Sequence, residues 1–124
     1  MATFVKLLCI AFIFIWQTST TANETLSNTK WHGTFNVPDP MSGTLEFKKD
    51  TVLLSIDGEV IESMTYKEKG DMLMLQKIYG QSPCSEAIGE YKFQLKDNVL
   101  MLSPMQDVCE IRANAFSKEG YKKE

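Results

Sequence analysis

The chain has 124 residues, 44% of them hydrophobic, with a formal net charge of −3, one histidine and three cysteines. A mildly acidic surface without a basic run argues against nucleic acid and anionic membranes as partners. One histidine and so few cysteines do not support a structural zinc site, and the length suits one small domain.

At the start, Lys6 precedes the unbroken apolar run Leu7–Trp16 and the polar stretch Gln17–Ala22. That is the layout of a secretory signal peptide. The ten-residue run is shorter than the roughly 20 residues that span a bilayer core. Residues 1–22 are therefore expected to be cleaved after Ala22, leaving an extracellular or periplasmic protein with no membrane attachment; a retained anchor is the alternative. Residues 23–30 read as a flexible polar segment, and Asn23-Glu24-Thr25 is a glycosylation sequon. Cys84 and Cys109 remain in the mature chain, and an even pair in a small exported domain predicts one disulfide.

From Trp31 the pattern changes to short alternating runs. Trp31, Gly33 and Phe35 share a face; Pro38 and Pro40 then break the run, because proline has no amide to donate. Leu45 and Phe47, then Val52, Leu54 and Ile56, form the next two faces. Asp57-Gly58 follows, a dipeptide that tolerates the positive φ of a tight hairpin turn. Met64 with Tyr66, and Leu73 with Leu75, continue the alternation. After the long loop carrying Cys84 come Tyr91, Phe93 and Leu95, then Asp97-Asn98 as a turn, then Leu100 and Leu102. Ile111–Phe116 reads as the eighth strand and residues 118–124 as a polar tail fraying into solvent. Eight short hairpin-linked strands over residues 31–117 predict an all-β fold, an eight-stranded antiparallel up-and-down barrel with one disulfide.

The candidate functional residues carry two readings each. Trp31, Phe35, Phe47, Tyr66, Tyr91 and Phe93 point inward, as a dry core or as an apolar pocket with two hydroxyls to orient a ligand. Met72, Met74 and Met101 point outward, either covered by loops or forming an adaptable patch for a protein partner. Arg112 is the only arginine of the chain, and serves either barrel closure or anion binding. Catalysis finds no support: His32 falls on the solvent side of its strand in no nucleophile motif, and paired cysteines offer no thiol. No cofactor or metal is expected.

The order of several short motifs resembles the calycin superfamily, to which the lipocalins belong. These are Trp31-His32-Gly33-Thr34-Phe35, then Gly89, Tyr91 and Phe93, then Leu100 and Leu102, then Asp107, Cys109 and Arg112. The C-terminal half is similar to small bacterial lipocalin-like domains. The resemblance implies that the arginine of the last strand lies over the tryptophan of the first, so that Arg112 and Trp31 close the barrel. A planar guanidinium stacks on an indole better than an ammonium does. The chain is shorter than a transport lipocalin and lacks its C-terminal helix and Thr-Asp-Tyr segment, so retinoid or steroid transport is not implied. The expected function is non-catalytic binding of a small apolar molecule inside the barrel. The alternative is a protein-binding module, such as an inhibitor of an extracellular protease acting through loops and the methionine patch.

Overall fold

The computed structural model describes residues 26–124. The expected signal peptide and the Asn23 sequon lie outside the described residues. Eight strands follow in chain order: β1 (Thr29–Asn36), β2 (Pro40–Phe47), β3 (Thr51–Ile56), β4 (Glu59–Lys69), β5 (Met72–Gly80), β6 (Gly89–Lys96), β7 (Val99–Gln106) and β8 (Tyr121–Lys123). A short helix, α1 (Glu110–Ala115), stands between β7 and β8. Every strand pairs antiparallel with its sequence neighbours, and β8 pairs with β1, so the sheet closes into a barrel.

The strands form where the alternation demands it. Trp31 and Phe35, Leu45 and Phe47, Val52 to Ile56, Met64 and Tyr66, Leu73 and Leu75, Tyr91 and Phe93, and Leu100 and Leu102 are all buried in one core. The turns carry the backbone the sequence anticipates: Asp57 and Gly58 have φ of 52° and 77°, and Asp97 and Asn98 of 53° and 61°. Paired positive φ values match the right-handed twist of the strands they join. Leu95 departs from the pattern at 42% exposed. The β5–β6 pairing stops at Met72 and Lys92, so Leu95 is flanked by Leu100 of β7 on one side and by no strand on the other.

The eighth strand is not where the alternation placed it. Ile111–Phe116 is mostly α1, and the residues that α1 and its C-cap bury, Arg112, Ala115 and Phe116, recur at helical spacing. Closure falls instead to the expected polar tail. Tyr121 is fully buried while Lys122 and Lys123 face solvent; β8 pairs Tyr121 with Leu100, Lys122 with Val99 and His32, and Lys123 with Trp31. A three-residue strand needs only one inward side chain, so its lysines conceal it. The Tyr121 ring stacks on Phe35 with centroids 4.7 Å apart and crosses Gly33, where an added Cβ would lie 2.5 Å from Tyr121 Cδ1. Gly33 is a glycine because this ring needs its space.

The N-terminal segment is also more ordered than its polarity suggests. Leu26 is fully buried, and Thr29 and Lys30 already belong to β1. The Leu26 amide donates to Glu68 Oε1 at 2.9 Å, its carbonyl accepts from the Thr29 amide at 3.1 Å, and Trp31 Nε1 donates to Thr29 Oγ1 at 2.8 Å. One apolar side chain in a polar stretch suffices to dock it.

A candidate binding site at the barrel mouth

The hairpins divide the barrel into two ends. Leu26, Trp31, Phe47 and Tyr66 lie toward one, and the Val37–Asp39 turn, the Gly80–Gly89 loop and α1 lie at the other. Between them the interior is full: the void among Leu45, Phe47, Val52, Met64, Leu73 and Leu75 is too small to admit a water molecule. The six aromatics expected to line a pocket are all buried. Phe47 and Tyr66 meet edge to face at 5.0 Å, and the Tyr66 hydroxyl donates to the Lys48 carbonyl.

A cavity of about 340 Å³ opens instead at the mouth, under α1. Val37, Pro38, Leu54, Ile61, Met64 and Phe116 give it apolar walls, and Glu62 and Arg112 are its charged members. None of the six expected aromatics lines it. A groove of about 720 Å³ lies on the outer face over His32, Thr44 and Ser55. Its rim is charged with Lys30, Glu46 and Glu124, and it has none of the apolar enclosure of the mouth.

Arg112 does not stack on Trp31. It lies on α1, which meets β1 at Phe35 and Asn36, four residues along the strand from Trp31. Its Nε and Nη2 donate to Asp107 Oδ2 and Oδ1 at 2.6 and 2.7 Å, and Nη2 also reaches the Ala87 carbonyl at 2.9 Å. Asp107 accepts further from the Tyr91 hydroxyl and, at 2.9 Å, from the Cys109 amide. Its side chain is inaccessible to solvent and Arg112 is 5% exposed. The answer for a lone arginine is geometric: a fork binds both carboxylate oxygens while a third corner stays free, which an ammonium cannot do. Gly89 is a glycine for the same reason, since an added Cβ would collide with Asp107 and sit 2.9 Å from Arg112 Nη2.

The cluster tunes its members. Burial alone would raise the Asp107 carboxyl, but hydrogen bonds from Arg112, Tyr91 and the Cys109 amide, with the Arg112 charge, hold it below the usual carboxylate range. Burial would lower the Arg112 guanidinium, yet the bonds to and charge of Asp107 leave it raised. Burial, then the hydrogen bond to Asp107, pushes the Tyr91 phenol far up. The Cys84–Cys109 disulfide ties the Gly80–Gly89 loop to the residue before α1, with Cα atoms 5.5 Å apart.

Glu62 faces the cavity from β4 and is 7% exposed. The Ser82 amide and hydroxyl donate to its carboxylate at 3.0 and 2.7 Å, with Lys77 Nζ at 3.7 Å. Alternation gave no hint of it, because a β-bulge between Ser63 and Met64 puts Glu62, Ser63 and Met64 in a buried row. The methionines of the expected outer patch, Met72, Met74 and Met101, are half-buried beside Lys92, Glu90 and Gln94. The apolar side chains that stand most exposed are Tyr79, Ile88, Met105 and Val108.

Fold and cavity together define a class: a small closed β-barrel whose mouth is covered by a disulfide-tethered helix. No protein-family model, curated protein or solved structure matches the chain.

Proposed function

We propose that this is an exported, non-catalytic binding protein of lipocalin-like, calycin type that carries a small, mostly apolar molecule at its barrel mouth. The observation that carries the reading is the cavity of about 340 Å³ with apolar walls and two buried charged groups. That volume falls in the range of small-molecule pockets, and few polar groups on a greasy wall is their usual make-up. The filled interior moves the site from the barrel centre to its mouth. His32 on the outer face, 3.8 Å from Glu124, and cysteines held in a disulfide favour binding over catalysis. Export rests on the leader-like residues 1–22 and accords with a disulfide.

The test is native mass spectrometry of the protein purified gently from its source, before and after organic extraction. A small-molecule adduct lost on extraction, and absent from an Ile61→Trp variant that fills the mouth, supports the reading. A clean apo mass in both overturns it. A second reading, binding of a protein such as an extracellular protease, is favoured by the exposure of Tyr79, Ile88, Met105 and Val108. A co-purified polypeptide would select it.

A further inference from the structure

Independently of any cargo, we infer that the outer face around the disulfide docks a cationic amphipathic peptide segment, one that presents apolar side chains among lysines or arginines. Ile78, Tyr79, Ile88, Met105, Val108 and Ile111 stand exposed toward the mouth. At the closed end Leu95 is the one exposed large apolar side chain among the described residues. The face is gathered by what lies beneath it. Gly89 presses on Asp107, and Asp107 holds Arg112; Ile88, Val108 and Ile111 are each next in sequence to one of these three. Met105 sits in the bulge between the Gln106–Glu90 and Pro104–Tyr91 pairs. Val108, Ile111 and Pro83 line a cleft of about 360 Å³ over Cys84 and Cys109. Ile78 and Tyr79 end β5, where the Gly80–Gly89 loop begins. A disulfide and a buried two-point ion pair keep these side chains from folding inward. Exposed apolar groups on so rigid a frame mark a contact surface, and the rigidity lowers the ordering cost of docking.

Charge decides the kind of partner. The cations nearest this face, Lys77 and Arg112, are held by Glu62 and Asp107. Glu86, Glu90 and Glu110 enter no ion pair among the described residues, and Glu110 lines the cleft itself. Carboxylates without countercharge around an apolar centre favour a partner whose cations meet them. A second copy docked face to face would set carboxylate against carboxylate. The turns of the closed end carry Lys49, Lys69 and Lys96 instead, so the acidic and apolar character belongs to one end of the barrel.

Three peptides of equal length test this on ¹⁵N-labelled protein by NMR titration: a leucine–lysine amphipathic helix, its leucine–glutamate counterpart and oligolysine. The leucine–lysine peptide should bind, weaken as salt rises, and shift the amides of Ile88, Val108 and Ile111 while those of Lys49 and Lys96 stay still. It should bind about ten-fold tighter than oligolysine, which lacks the apolar contact, and tighter again than the leucine–glutamate peptide. Glu86→Lys with Glu110→Lys, both at exposed positions, should weaken it about ten-fold; Lys49→Glu with Lys96→Glu should not weaken it. Equal binding of the leucine–glutamate peptide overturns the charge assignment, and equal binding of oligolysine overturns the apolar one. Shifts confined to Leu54 and Met64, which line the cavity, make the peptide a cargo and overturn the docking face. Binding of none, or a dimer in sedimentation that already covers the face, overturns the inference and leaves the cargo reading to its own test.

Discussion

The two ends of the barrel are stabilised by different physics. At the closed end, Leu26 seals a packed apolar interior, and the polar atoms of Thr29, Trp31 and Tyr66 are satisfied by nearby backbone or one another. At the mouth the β5–β6 ladder has already ended, and the space beyond it holds a polar cluster, a disulfide and a six-residue helix. Burial that scales with apolar area is insensitive to pH and redox state. A buried ion pair and a cross-link are sensitive to both. The mouth keeps an open cavity, and its geometry depends on a few specific bonds.

The largest expected effect is at the ion pair. Asp107→Ala leaves the Arg112 charge buried without its partner, and should destabilise by about 3–5 kcal/mol in urea melts at pH 7. The sign of its pH dependence follows from the depressed Asp107 pKa. The carboxylate stabilises fully above the unfolded value of about 3.9, and the benefit is lost as pH falls through the folded value. The difference between wild type and Asp107→Ala should therefore shrink in acid. Leu26→Ala, at the closed end, should cost the same at both pH values. Next in size, replacing Cys84 and Cys109 by serine opens a link between residues 25 apart in sequence, worth about 3 kcal/mol by loop entropy. Amide exchange should rise in α1 and the Gly80–Gly89 loop before it rises in β1–β3. Uniform acceleration would show that the ends do not melt separately.

The same contrast explains what was legible in the sequence. The closed end and the interior follow strict alternation, so Phe47, Val52, Leu73 and Leu100 could be assigned inward from period two alone. The disulfide followed from the cysteine count and the expectation of export. The mouth obeys no such period. A bulge hides Glu62, the short helix reads as a strand because its apolar residues are so few, and Tyr121 stands among lysines. The lone arginine was visible as an anomaly, and its link to Asp107 was available from the Asp-x-Cys-x-x-Arg spacing. Its partner could not be chosen without knowing that α1 lies at the other end of the barrel from Trp31. Gly33 and Gly89 were readable as motif positions, but the ring and the ion pair that press on them are long-range contacts.

Gly33→Ala probes the seam where the two ends meet, because its Cβ would force the Tyr121 ring aside. Overpacking of this kind should cost about 1–3 kcal/mol, and Gly70→Ala, which meets nothing within 4 Å, should cost less despite its φ of 61°. A reversal would mean that β8 gives way freely and that closure is loose.

The smallest effect is the most diagnostic of how β8 is held. The Tyr121 hydroxyl accepts from the Ser117 amide at 2.9 Å and donates to the Thr34 carbonyl at 3.1 Å. Tyr121→Phe keeps the ring stacked on Phe35 and removes both bonds, so a loss of about 1 kcal/mol is expected near neutral pH. Burial pushes the Tyr121 phenol up to about 12, above its unfolded value near 10. A raised acid contributes stability that is complete below the unfolded pKa and is lost as pH rises through the folded one. Wild type should therefore lose stability between about pH 10 and 12 more steeply than Tyr121→Phe, and the two urea midpoints should converge there. Parallel curves would mean that the hydroxyl reaches water in the folded state, and that the barrel is held shut at β8 by the ring alone.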